Sequence, residues 1–97
     1  MSLSLLELAH GVQKDFKEAA RLYRLAASQG NSDAQMNLGE CYEDGQGVNK
    51  DLKEAVFFYR LAANQGNPQA RMKLALFYYK GIVVKKDLNE ARQMLLS

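Results

Sequence analysis

Apolar residues recur along this chain at spacings of three and four. With Ala19 as the origin of a helical wheel turning 100° per residue, Phe16, Leu22, Tyr23, Ala26 and Ala27 fall within about 80° of it. Ala34, Leu38, Cys41 and Tyr42 cluster in the same way a little further on. No segment alternates with period two over the length of a strand, so the pattern predicts an all-α chain. The breaks carry their own signals. Asp15, Asp51 and Asp87 each precede a glutamate by three residues (Glu18, Glu54, Glu90), which suits a helix start: the carboxylate accepts an orphan amide N–H. Gly30 and Gly66 mark helix ends, Asn67-Pro68 a restart, and Gly45 and Gly81 further ends. These signals predict helices over 16–29, 32–44, 52–65, 68–80 and 88–96, with a stub around 3–9.

The same signals expose a period of 36. Laying Gly11–Gln46 over Gly47–Ile82 gives about 20 identities in 36 positions, including Tyr23-Arg24-Leu25-Ala26-Ala27 over Tyr59-Arg60-Leu61-Ala62-Ala63. The 97 residues read as one domain. It holds a partial unit at 1–10, full units at 11–46 and 47–82, and a partial unit at 83–97. Paired alanines let neighbouring helix axes come close, while one tyrosine per helix fills the wider gap between units. Antiparallel helix pairs stacked in series would form a right-handed α/α superhelix, a solenoid. Terminal units of such arrays need a polar outer face, and Met94-Leu95-Leu96 is apolar, so the expectation is a piece of a longer array.

The spaced Gly, Ala and Tyr residues give the chain a family likeness. Gly47-Val48-Asn49-Lys50-Asp51-Leu52-Lys53-Glu54-Ala55, Tyr59 to Gly66, Asn67-Pro68-Gln69-Ala70 and Leu38 to Val48 resemble the Sel-1-like repeat. That family is related to the tetratricopeptide repeat but has a slightly longer unit. One departure is Ile82-Val83, where the family's Gly-x-Gly-Val turn has lost its second glycine. The resemblance implies an adaptor or scaffold that assembles protein complexes. It does not extend to the cysteine-rich bacterial members linked to β-lactam binding, because Cys41 is the sole cysteine here.

Composition narrows the function further. A net charge of +2 is too small to suggest nucleic-acid binding, and no apolar run approaches the length of a membrane span. The first residues lack the basic and apolar regions of a signal peptide, which favours a cytoplasmic setting. A lone cysteine excludes an internal disulfide. No enzyme is expected, and no metal or cofactor. His10 reads as a loop residue beside Gly11 with no partner to complete a site. Cys41 reads as a small buried hydrophobe, the Asp/Glu pairs as helix caps, and Gly45-Gln46-Gly47 as a turn.

What remains is binding. Tetratricopeptide relatives line their inner surface with the first helix of each unit. On that helix, Lys17, Arg21 and Arg24 lie opposite Ala19, and their counterparts are Lys53, Phe57 and Arg60. This strip of five cations around one aromatic suits a peptide segment or partner protein carrying acidic residues. The alternatives are a solvated face answering nearby carboxylates, and for the whole chain a structural spacer between flanking domains. Leu76 and Tyr79, which replace Glu40 and Glu43, form a secondary patch. They either pack on the partial third unit or make an intermolecular contact. Charge also polarises, with Asp33, Glu40, Glu43 and Asp44 in one unit and Arg71, Lys73 and Lys80 in the next, so head-to-tail self-association of the repeat ends would be favoured at low salt. If the alanines do mark close contacts, Ala55→Leu overpacks one and destabilises the fold by roughly 1–3 kcal/mol, read as a lowered urea midpoint.

Overall fold

The computed structural model describes residues 5–83 and 88–96, with side chains at 15–83 and 89–96. Five helices follow one another: α1 (Leu5–Ser28), α2 (Ser32–Asp44), α3 (Leu52–Asn64), α4 (Pro68–Lys80) and α5 (Leu88–Leu96). Each packs on the next in sequence, which is the arrangement a tandem helical repeat requires.

Local chemistry explains most boundaries. Asp51 sits in an extended conformation and its Oδ1 accepts from the amides of Lys53 and Glu54 at 3.0 and 3.2 Å, opening α3. Asn31 and Asn67 open α2 and α4 by accepting from the amides of Ala34 and Ala70. Gly45 and Gly81 close those two helices, their amides donating to the carbonyls of Cys41 and Phe77.

The start of the chain departs from expectation. The predicted stub and the predicted helix at 16–29 are one 24-residue helix, and Asp15 lies inside it rather than capping it. His10, expected in a loop, is on this helix too. The cause is one position. Ala9 stands 36 residues before Gly45 and 72 before Gly81, so the left-handed stop residue is replaced by the best helix former. A single interior glycine, Gly11, costs only about 1 kcal/mol against that continuation. Asp87, the third predicted cap, lies outside the described residues.

The core lies between the units. Ala55, Tyr59, Ala62, Ala70 and Leu74 are fully buried, with Val56, Ala63 and Phe77 nearly so. The close approach depends on Gly39 of α2: a Cβ there would lie 2.6 Å from the Tyr59 ring and 3.3 Å from the Ala55 carbonyl oxygen. Tyr59 then reaches past α2 and donates its hydroxyl to Glu43 Oε1 at 2.5 Å. Polar side chains, of which Gln35 and Asn67 are buried, tie the turns together. Gln65 Nε2 donates to Gln35 Oε1 at 2.8 Å, Gln35 Nε2 to the Ala27 carbonyl, and Asn67 Nδ2 to Asp33.

The first helix is less covered than its wheel suggests. Phe16 is 38% and Leu22 55% exposed, whereas their repeat counterparts Leu52 and Phe58 are half-buried. Those counterparts belong to a helix flanked by both α2 and α4, whereas among the described residues α1 packs substantially on α2 alone. Among the described side chains of α1, the buried ones are Ala27, which the wheel places on the apolar face, and Ala20, which it does not.

The two inter-unit turns also differ. Gly47 has φ +75°, and a Cβ there would come within 2.2 Å of the Phe16 carbonyl oxygen, so only glycine allows that approach. Val83, its counterpart, holds the same left-handed region at φ +68° with a branched side chain and is 46% exposed. The left-handed conformation costs an L-residue about 1–2 kcal/mol, while glycine's extra unfolded-state freedom offsets roughly 0.5–1 kcal/mol of any gain. Val83→Gly is therefore expected to stabilise the chain by about 0.5–1 kcal/mol, and Gly47→Ala to destabilise it, in matched urea titrations.

Burial raises the Tyr59 phenol well above its ordinary range, and the Glu43 carboxylate that accepts its proton adds to this. Burial also raises the Cys41 thiol, with Glu40 and Asp44 contributing. Both groups are neutral when protonated, so their stabilisation is complete below their unfolded pKa values, 9.0 for Cys41 and 10.0 for Tyr59, and is lost as pH rises above them. Unfolding free energy measured from pH 7 to 11 should fall above about pH 9. Tyr59→Phe should lower it by about 1–2 kcal/mol at pH 7 and flatten the alkaline decline.

Candidate functional site

The strip of cations is built on α1 and α3, and all six of its residues are exposed: Lys17, Arg21, Arg24, Lys53, Phe57 and Arg60. Helical spacing sets this on each helix, since residues three and four apart share a face. The structure adds what holds the arginines. Arg24 Nη2 donates to the Tyr42 hydroxyl, and its guanidinium carbon lies 5.8 Å from the centre of that ring. One unit later Arg60 Nη2 donates to the Tyr78 hydroxyl at 3.0 Å, again with 5.8 Å between guanidinium and ring. Each pair links a first helix to the second helix of the same unit, 18 residues on.

This geometry has a chemical consequence. A guanidinium carries five N–H donors in a planar fork, and a tyrosine hydroxyl takes one. The ring beneath it adds cation–π attraction of about 0.5–1 kcal/mol at an exposed site. The arginine is thereby held in one orientation with donors left for a carboxylate. Arg21 is engaged differently, in an exposed ion pair with Glu18 at 3.1 Å. Such a pair is worth little and is readily exchanged for another carboxylate.

Aromatic rings extend from the first arginine position onto α3. Tyr42 stacks on Phe58 with centroids 5.8 Å apart and planes 6° from parallel, and Phe58 meets Phe57 edge-on at 5.2 Å. Phe57 remains 54% exposed. A path therefore runs from Arg24 through Tyr42 and Phe58 to an open phenyl ring. Sequence reasoning placed Tyr42 in the core and did not assign Phe58 or Tyr78 to the strip. The Arg–Tyr spacing of 18, present twice at an interval of 36, was the available signal.

The secondary patch lies on α4. Leu76 is 46% and Tyr79 59% exposed with α5 in place, because α5 contributes Ala91 and Met94 to the packing instead. Opposite charges of the two units meet within the chain, with Lys73 Nζ 3.5 Å from Glu43 Oε1. Cys41 is buried. Among the described residues no cluster of His, Cys, Asp or Glu could hold a metal ion, and no helix is long and apolar enough to cross a membrane.

A serial stack of helices, each packed on the next and with a tyrosine of α3 seated against a glycine of α2, defines an α/α-repeat protein. The profile of the Sel1 repeat matches residues 3–31, 32–67 and 68–97, and the chain belongs to that family. Its repeats are non-catalytic helical units that commonly mediate protein interactions. Among solved structures, the chain is similar to a Sel1 repeat protein from Oxalobacter formigenes, with 42% identity and a TM-score of 0.78 over 80% of this chain. It is also similar to c5321, a protective antigen present in uropathogenic Escherichia coli strains displaying an SLR fold, at 37% identity and the same TM-score and coverage. The match spans only 32% of the first protein and 17% of the second. No curated protein matches the chain.

Proposed function

We propose that this chain is a non-catalytic interaction module that binds an acidic segment of a partner protein along the strip of α1 and α3. The observation that carries this reading is Phe57, a phenyl ring 54% exposed on the same helix as Arg60 and joined through Phe58 and Tyr42 to Arg24. An open aromatic beside pre-oriented guanidinium groups has the composition of a binding hot spot. The arginines take carboxylates, and the ring takes an apolar side chain. Lys17 and Lys53 add long-range attraction that salt weakens.

A structural spacer between flanking domains is the rival reading, and the half-buried glutamine and asparagine bonds between turns would suit a stiff rod. A spacer needs no exposed aromatic, so substitutions on the strip separate the two. In a fluorescence titration with a capped peptide rich in Asp, Glu and Leu, Phe57→Ala and Arg60→Ala should each weaken binding about fivefold or more without lowering the melting temperature. Saturable binding that both variants leave unchanged, or no binding at low salt, would favour the spacer.

A further inference from the structure

We propose that the depression between α2 and α4 is a second docking site, one that takes an apolar side chain from a partner's linear segment with an acidic residue next to it. It stands independently of the strip on α1 and α3. Glu43 forms one wall, Lys73, Leu76, Phe77 and Lys80 line it from α4, and Ile82 closes it from the following turn. Its volume is about 70 Å³, room for a single aliphatic side chain and well below that of a small-molecule pocket.

Comparison of the two units shows what the chemistry selects. All five lining residues of the second unit differ from their counterparts 36 positions earlier, although about 20 of 36 positions are otherwise identical. Leu76 stands for Glu40, Phe77 for Cys41 and Ile82 for Gln46, while Lys73 stands for Asn37 and Lys80 for Asp44. Every change is toward apolar or cationic. Phe77 and Ile82 belong to the core packing and Lys73 pairs with Glu43, but packing within the chain does not account for Leu76, which stays 46% exposed, or for the exposed Lys80.

The polar groups fix the sign of the ligand. The Glu43 carboxylate is already shared between the Tyr59 hydroxyl at 2.5 Å and Lys73 at 3.5 Å, so it is held and largely answered. Lys80 makes no ion pair among the described residues, which leaves a net positive mouth over an apolar floor. An aliphatic side chain fills the floor, and a carboxylate on the adjacent residue meets Lys80. A neutral or basic neighbour would forgo that attraction.

The test is a ¹H–¹⁵N NMR titration of the chain with acetyl-Gly-Leu-Glu-Gly-amide. Saturable shifts are expected at the amides of residues 73–82, with a dissociation constant on the order of millimolar. The same peptide with Gln for Glu should bind about two- to fivefold more weakly. Leu76→Asp should abolish the shifts while leaving the melting temperature within about 2 °C, and Phe57→Ala should leave them intact. Several results would overturn the proposal: no saturation by about 10 mM peptide, equal binding of the neutral peptide, or shifts confined to residues 53–60, where the strip alone would be the site. Tighter binding of N-acetyl-leucine, with its free carboxylate, would assign the site to chain termini instead. Concentration-dependent shifts at residues 73–82 without peptide would assign it to a second copy of this chain.

Discussion

Tyr59 packs into the notch that Gly39 leaves, and the coupling of one repeat to the next rests on that contact. A side chain at position 39 would collide with the ring, and a smaller residue at 59 would leave a void between α2 and α3. With both in place, Ala55 and Ala62 bring α3 against its neighbours with no exposed surface, and the hydroxyl finds Glu43. A single helix pair has an apolar face it cannot cover by itself, so burial must come from the adjacent unit. The junction with α5 is built differently. Ala75 replaces Gly39, Leu95 replaces Tyr59 and is 63% exposed, and Met94 with Ile82 supplies the contact.

Architecture and candidate binding surface share residues. Tyr42 packs against the core, and the hydroxyls of Tyr42 and Tyr78 hold Arg24 and Arg60 at the surface. The repeat therefore sets the spacing of the guanidinium groups, one per unit. Phe57 breaks that symmetry, because its counterpart is Arg21. Where a repeat protein departs from its own period without a packing reason, solvent-facing chemistry is what changes. Leu76, Lys73 and Lys80 follow the same rule on α4.

Val83 shows the cost of another departure. The turn after α2 lets Gly47 lie against the backbone of α1, and the turn after α4 keeps the same left-handed backbone with valine in its place. The Cβ of Val83 rules out an approach to α3 as close as that of Gly47 to α1. Strain of this kind persists only where surrounding contacts hold it, here the Gly81 cap and the Ile82 side chain on the core.

The class of fold was legible because helical repeats encode it locally. Period, caps and the alanine pairs depend on residues within a few positions of one another, and four helices fell within a residue of their expected bounds. The first helix was readable too, since Ala9 lacks the stop that Gly45 and Gly81 provide. What required the tertiary structure was which side of each helix meets a neighbour. A wheel assigns Phe16 and Leu22 to the same face as their half-buried counterparts Leu52 and Phe58, yet burial belongs to the neighbouring helix and not to the residue itself. For the same reason the Arg–Tyr pairs, the aromatic path to Phe57 and the depression beside Leu76 emerged only from the packed chain: each joins side chains from different helices, and no local pattern encodes that distance.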